Sequence, residues 1–183
     1  MTLLHVTDNP EAEVNPPWWQ RAIVGRSPRR TFVRVLILVV TTFLIFRFVL
    51  MAVRVDGESM TPTYKNNSIH LMNRLAYVSH GPQRGDVVFI RIADPSIQFP
   101  RYAYMKRIVG LPGETIAFHD GRALINGQPL DEPYVKFPCD WERPPVKLES
   151  DQYFVVGDNR SMPIGDHKMG EPRRSQILGK MLL

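Results

Sequence analysis

Three short stretches of this chain carry residue types that can do chemistry. Val55-Asp56-Gly57-Glu58-Ser59-Met60-Thr61-Pro62-Thr63 offers a serine hydroxyl. Residues 104–114, YMKRIVGLPGE, offer the amine of Lys106 beside the guanidinium of Arg107, and Gly157-Asp158-Asn159-Arg160-Ser161 offers a carboxylate, an amide and a second guanidinium. A hydroxyl becomes a nucleophile when a neighbouring base takes its proton, and a lysine is such a base only while its amine is neutral. Taken singly, each stretch has an ordinary reading: a surface serine, an edge strand with two solvated charges, a turn after a strand. Gly57 permits an unusual backbone angle or a close approach and Pro62 stiffens the chain beyond, so the pair can hold a hydroxyl at a fixed point. On a strand, Lys106 and Arg107 point to opposite faces, and one of them turns inward if the strand has a buried side.

The elements that must position these groups begin with an apolar run. Residues 35–46, VLILVVTTFLIF, carry no charge. At about 1.5 Å per residue they reach only ~18 Å, short of the ~30 Å hydrocarbon core. Extension to Thr31 and Val53 gives roughly 34 Å. That length takes in Arg34 and Arg47 near the ends, where long side chains snorkel to the headgroups. A transmembrane helix over 31–53 is therefore expected, preceded by a cytoplasmic tail over 1–30. A cut after Ala52 would put Leu50 three residues upstream, where a small residue is wanted, so an uncleaved anchor is the better reading. Arg21, Arg26, Arg29, Arg30 and Arg34 precede or open the segment with no acid among them, whereas Arg54 and Lys65 beyond it are offset by Asp56 and Glu58. The positive-inside rule then leaves the N-terminus cytoplasmic and exports residues 54–183 from the inner membrane.

The formal charge of +5 fits this basic flank. Nucleic acid is not an expected partner, because the arginines do not interleave with aromatics along a strand. Past Val53 the helical period disappears, and many of the chain's sixteen prolines and twelve glycines punctuate short runs of β-formers at 68–73, 86–92, 104–109, 115–119, 153–156 and 177–183. His119-Asp120-Gly121-Arg122 reads as a tight hairpin, and residues 133–145, with Cys139 and Trp141, as a surface loop. The expected fold is mainly β: one N-terminal transmembrane helix followed by an antiparallel β-sheet catalytic domain. Cys139 is the sole cysteine, which excludes an intramolecular disulfide. The five histidines, His5, His70, His80, His119 and His167, lack ligand spacing, so neither metal nor cofactor is expected.

The three stretches in this order behind one membrane helix, V-x-G-x-S-M-x-P-T, Y-x-K-R-I-V-G-L-P-G and G-D-N-R, closely resemble the type I signal peptidases of bacteria and organelles. Arg47-Phe48 and Arg84-Gly85-Asp86-Val87-Val88 add to the likeness, which runs from about Arg47 to Lys180. The resemblance implies a membrane-bound serine endopeptidase with a Ser/Lys dyad, in which Ser59 is the nucleophile and Lys106 the general base. It also implies an inserted, more variable β subdomain at about 112–150. Its partners would be the lipid bilayer and exported precursors bearing signal peptides, cut after small residues. An ordinary lysine titrates near ~10.4 and must fall by about 3 units, or about 4 kcal/mol, to act near neutrality. Desolvation can supply that.

Two departures from the family pattern matter. Gly57 stands where one branch of the family places a serine that donates to the oxyanion, so the second oxyanion donor is open. After Arg160 the family usually continues x-x-S-x-D-S-R, whose serine helps orient the lysine; here Pro163 occupies that place and Asp166-His167-Lys168 fits only loosely. Ser161 is one substitute for the lost hydroxyl. A rival arrangement pairs Ser59 with His167 and Asp158 or Asp166. Two other functions share the pattern: a specialised conjugation or pilus peptidase, and an inactive membrane scaffold.

Overall fold

The computed structural model describes residues 28–91, 103–137, 139–167 and 169–182; most of the expected tail lies outside them. The chain divides into two units, one ending at Leu44 and the other covering 45–183. In the first, α1 is an α-helix over Pro28–Leu44; the second opens with a π-helical turn over Ile45–Val49. Together these 22 residues, Pro28–Val49, are long and apolar enough to cross a membrane, roughly 33 Å at about 1.5 Å per residue.

The helix does not extend to Val53. Leu50–Arg54 is a strand, β1, paired antiparallel with β2 (Ile69–Asn73) from Leu50↔Asn73 to Arg54↔Ile69. The apolar run crosses this junction unbroken, so hydropathy alone could not mark it. What separates the two stretches is burial: nothing in the helix is buried, whereas Val53 of β1 is.

The second unit is two antiparallel sheets. Six strands run in the order β1-β2-β10-β3-β4-β9, with β3 at Val87–Arg91, β4 at Ala103–Gly110, β9 at Phe154–Val156 and β10 at Ile177–Met181. Four more run β7-β6-β5-β8, with β5 at Thr115–His119, β6 at Arg122–Ile125, β7 at Gln128–Pro129 and β8 at Arg143–Lys147. The expected hairpin is the β5–β6 turn, with His119 opposite Arg122. The surface loop expected at 133–145 needs correction, since Trp141 is buried against Phe118 and Leu148, and Arg143–Lys147 forms β8. Pro144 and Pro145 are tolerated there because β8 lies at the sheet edge, where a missing N–H need not break a ladder.

β4 decides where the chemistry sits. It lies between β3 and β9, and every residue from Met105 to Gly110 is buried. Its residues pack into three apolar clusters: Met105 with Val53, Met60 and Met72; Ile108 with Val88 and Val155; Val109 with Phe118 and Trp141. A strand covered on both faces buries both members of a Lys-Arg pair.

Candidate active site

The serine sits in a tight loop that leaves the end of β1. Val55 is buried and exchanges backbone hydrogen bonds with the 67–68 turn (Val55 N to Ser68 O, 2.8 Å; Asn67 N to Val55 O, 2.9 Å). Gly57 then takes a φ of +110°, a backbone state disfavoured for other residues, and donates its N–H to Asn66 Oδ1 at 3.0 Å. The carbonyl of Glu58 accepts from the Thr61 N–H at 3.1 Å and the Thr61 hydroxyl at 2.6 Å, closing a turn with Ser59 at its tip. Ser59 itself is half-buried, and Met60 beside it anchors the loop in the core.

The Gly157–Ser161 turn fastens this loop from the other side. Asn159 donates its backbone N–H to the Ser59 carbonyl at 3.1 Å, and its side-chain amide to Glu58 O at 3.2 Å and Thr61 Oγ1 at 3.1 Å. Thr63 donates its hydroxyl to Asp158 Oδ2 at 2.6 Å. Gly157 lies so close that a Cβ there would stand 2.1 Å from the Ser59 carbonyl oxygen and 2.5 Å from Cε1 of His167. Neither contact is possible for a real side chain, so glycine is required by space at this position.

Lys106 approaches from β4, opposite Val88, and is 2% exposed. Its Nζ donates to Ser59 Oγ at 2.5 Å. Its neighbour Arg107, on the other face, grips Asp158 through two hydrogen bonds (Nε to Oδ1, 2.8 Å; Nη2 to Oδ2, 2.6 Å), donates Nη1 to Gly85 O at 2.7 Å and lies 4.0 Å from the Tyr134 ring centroid. Asp158 is fully buried, and its two oxygens serve Arg107 and Thr63. Arg160, 1% exposed, is held by Glu132 and by the Gly157 carbonyl. The G-D-N-R turn is thus a bracket. Asp158 fixes Arg107, Asn159 fixes the serine loop, and Arg160 fixes the turn. Sequence reasoning gave Asp158 only a place in the rival histidine arrangement and gave Asn159 and Arg160 no role, because partners 28 to 101 positions away leave no local signal.

His167 is buried at 5% exposure and stacked edge-on against Trp141, with ring centroids 4.8 Å apart. Its Nε2 lies 2.9 Å from the Asn159 carbonyl, which can only accept, so Nε2 carries the proton. Nδ1 is buried and has no hydrogen-bond partner among the described residues. Burial, reinforced by the charge of Lys106, lowers its pKa to about 4. With Asp158 committed to Arg107, the described residues contain no hydrogen-bonded Ser59–His167–Asp158 chain. Ser161 donates its hydroxyl to Asn159 Oδ1 at 2.7 Å and thereby stiffens the bracket.

The serine and lysine open into a cleft of about 680 Å³, walled by residues 51–60, by Phe89 and Ala103–Lys106, and by Met162 and Asp166. β1 borders it as an edge strand of the larger sheet. Elsewhere, His119, Asp120 and Glu142 bring possible ligand atoms within 4.8 Å of one another on the exposed surface of the smaller sheet. There the imidazole already bridges both carboxylates.

A family profile described as signal peptidase, peptidase S26, matches residues 29–183. A signal peptidase I of Leptolyngbya laminosa is 36% identical over 142 residues, covering 74% of this chain and 68% of its own. The probable signal peptidase I-2 of Synechocystis is 35% identical over 135 residues, covering 73% and 62%. Signal peptidase I S of Bacillus subtilis is 34% identical over 157 residues, covering 79% and 82%.

Proposed function

The chain belongs to the signal peptidase family, peptidase S26, and from that premise we propose that Ser59 is the nucleophile and neutral Lys106 the general base of a type I signal peptidase. The observation that carries the proposal is the 2.5 Å hydrogen bond between Lys106 Nζ and Ser59 Oγ, made by an amine almost wholly withdrawn from solvent.

The chemical steps grow out of that contact. Lys106 takes the Ser59 proton as Oγ attacks the scissile carbonyl carbon. The backbone N–H of Ser59 steadies the developing oxyanion. The ammonium then hands the proton to the departing amine, which becomes the N-terminus of the mature protein, leaving the signal peptide esterified to Ser59. Lys106 next takes a proton from water, whose oxygen attacks the ester; the proton returns to Oγ as the acid product leaves. Gly57 has no side chain to offer a second oxyanion donor.

The substrate is the extended end of a precursor's signal peptide. It lies along the outer edge of β1, where one side of the strand is unpaired, and adds to the sheet as a further strand. Apolar walls from Met51, Phe89, Met105 and Met162 favour small side chains beside the scissile bond. Residues Pro28–Val49 anchor the enzyme in the cell membrane, with the arginine-rich flank on the cytoplasmic side and residues 54–183 exported. The four-stranded sheet within 112–150 is the inserted subdomain of the family pattern.

The test is cleavage of a purified secretory precursor by the detergent-solubilised full chain. Ser59→Ala and Lys106→Ala should each lower kcat by about 10³-fold or more. Full activity in either variant would end the proposal.

A further inference from the structure

We infer that a second groove, joined to the catalytic cleft at Met162, receives the first residues of the mature protein, the stretch of precursor just past the scissile bond. We further infer that Asp140 sets the charge preference there. This rests on the Ser59/Lys106 reading above. The catalytic cleft accounts for only one half of a substrate. A signal peptide laid along β1 brings its last residue to Ser59, and the precursor chain has to continue from that point. Ser59 stands where the cleft meets the Gly157–Ser161 turn, because its carbonyl accepts the Asn159 N–H at 3.1 Å. A chain that leaves Ser59 in the direction away from β1 therefore runs toward that turn.

The second groove opens there. It holds about 520 Å³ and is walled by residues 139–141 and 160–163. Binding sites commonly measure about 300–1,000 Å³, so a few residues of extended chain fit. Met162 belongs to the walls of both hollows, which makes them two halves of one track with that side chain as the ridge. The ridge is held in place: buried Trp141 donates its indole N–H to the Met162 carbonyl at 3.0 Å, and Ser161 is tied to Asn159. Charge along the track is one-sided. Arg160 in the groove wall is 1% exposed and already taken up by Glu132 and the Gly157 carbonyl. Asp140 in the groove and Asp166 in the catalytic cleft are exposed, and neither carboxylate has a hydrogen bond or ion pair among the described residues. Such a track suits a basic mature segment better than an acidic one.

The test uses the detergent-solubilised full chain and two synthetic precursors that share one signal segment. One ends a single residue past the scissile bond and the other runs six residues past it. Wild type should cleave the longer one with kcat/KM about 10-fold higher, since contacts remote from the reacting bond contribute to it. Lysine is then compared with glutamate at the second to fifth mature positions of the longer substrate. At one of them lysine should be favoured about 3- to 5-fold in KM, the size of one exposed charge pair. Asp140→Asn should abolish that preference and Asp140→Lys reverse it, both with the wild-type melting temperature. Glu149→Lys makes the same charge change on an exposed turn outside the groove and should leave the preference alone. Equal cleavage of the short and long substrates would overturn the groove. Asp140 variants with the wild-type preference, or an equal shift in Glu149→Lys, would overturn the role of Asp140. Ser59→Ala and Lys106→Ala run alongside. Activity in either ends the dyad reading; if both are dead while wild type ignores substrate length, only the groove fails.

Discussion

The two sheets treat charge in opposite ways. In the six-stranded sheet and the turn bound to it, Lys106, Arg107, Asp158 and Arg160 are all buried. On the four-stranded sheet the ion pairs lie outside: His119 with Asp120 and Glu142 is largely solvated, and Arg143–Glu171 is only half-covered. Its interior is Ile116, Phe118, Ala123, Trp141 and Leu148. Apolar packing needs no defined partner, whereas a buried charge needs a specific one at a specific distance. The first sheet therefore couples stability to geometry at Ser59 directly, and the second only through Glu132 on Arg160 and Trp141 on His167. Substitutions should divide along that line.

The largest effect is expected at Asp158. Asp158→Ala would strand the Arg107 guanidinium in the interior, a loss of about 3–5 kcal/mol by analogy with other broken buried pairs, and would release Thr63, and with it one tie of the serine loop, from the Gly157–Ser161 turn. Urea unfolding measures the first consequence and precursor cleavage the second; a variant as stable as wild type would erase the contrast between the sheets.

Acid comes next. His167 has a folded pKa depressed to about 4 from 6.5. Between those values the unfolded chain binds a proton that the folded one refuses, so stability is full above about 6.5 and declines as pH falls toward about 4. The loss is up to about 3 kcal/mol at ~1.36 per unit. His167→Gln should flatten that part of the melting-temperature profile, and an unchanged slope would place the sensitivity elsewhere.

Gly157→Ala should act mainly on rate. The added methyl must displace the Ser59 carbonyl or the His167 ring, and a shift near 1 Å at a reacting group costs about 10²-fold. Single-turnover cleavage would register it. Glu142→Gln, on the other sheet, should change neither melting temperature nor turnover, its partners being a solvated histidine and the exposed Asp120 N–H, which an amide oxygen can still accept. A clear kinetic effect there would show that the smaller sheet also communicates with the site.

The sequence made some of this legible and hid the rest for physical reasons. The apolar helix and the strands at 69–73, 87–91, 103–110 and 177–181 were visible because β-formers alternate with strong turn signals. Ser59 and Lys106 were picked out by motif order, and they meet at 2.5 Å. The burial of Lys106 and Arg107 together was not visible, since it depends on β3 and β9 flanking β4 and on Asp158 arriving from 51 residues away. The strand at Leu50–Arg54 was hidden inside a continuous apolar run. Trp141 was hidden among prolines that read as loop but sit at an edge strand.

The bracket at Gly157–Ser161 also sets a timetable. Its contacts to the serine loop span 95 to 101 residues, so a nascent chain that already contains both hydroxyl and amine still lacks the clasp that mounts the hydroxyl. At the ~5–20 residues per second of translation, several seconds separate the synthesis of Ser59 from that of Asn159. The serine loop is therefore expected to take its final form only after residues 157–161 have been made.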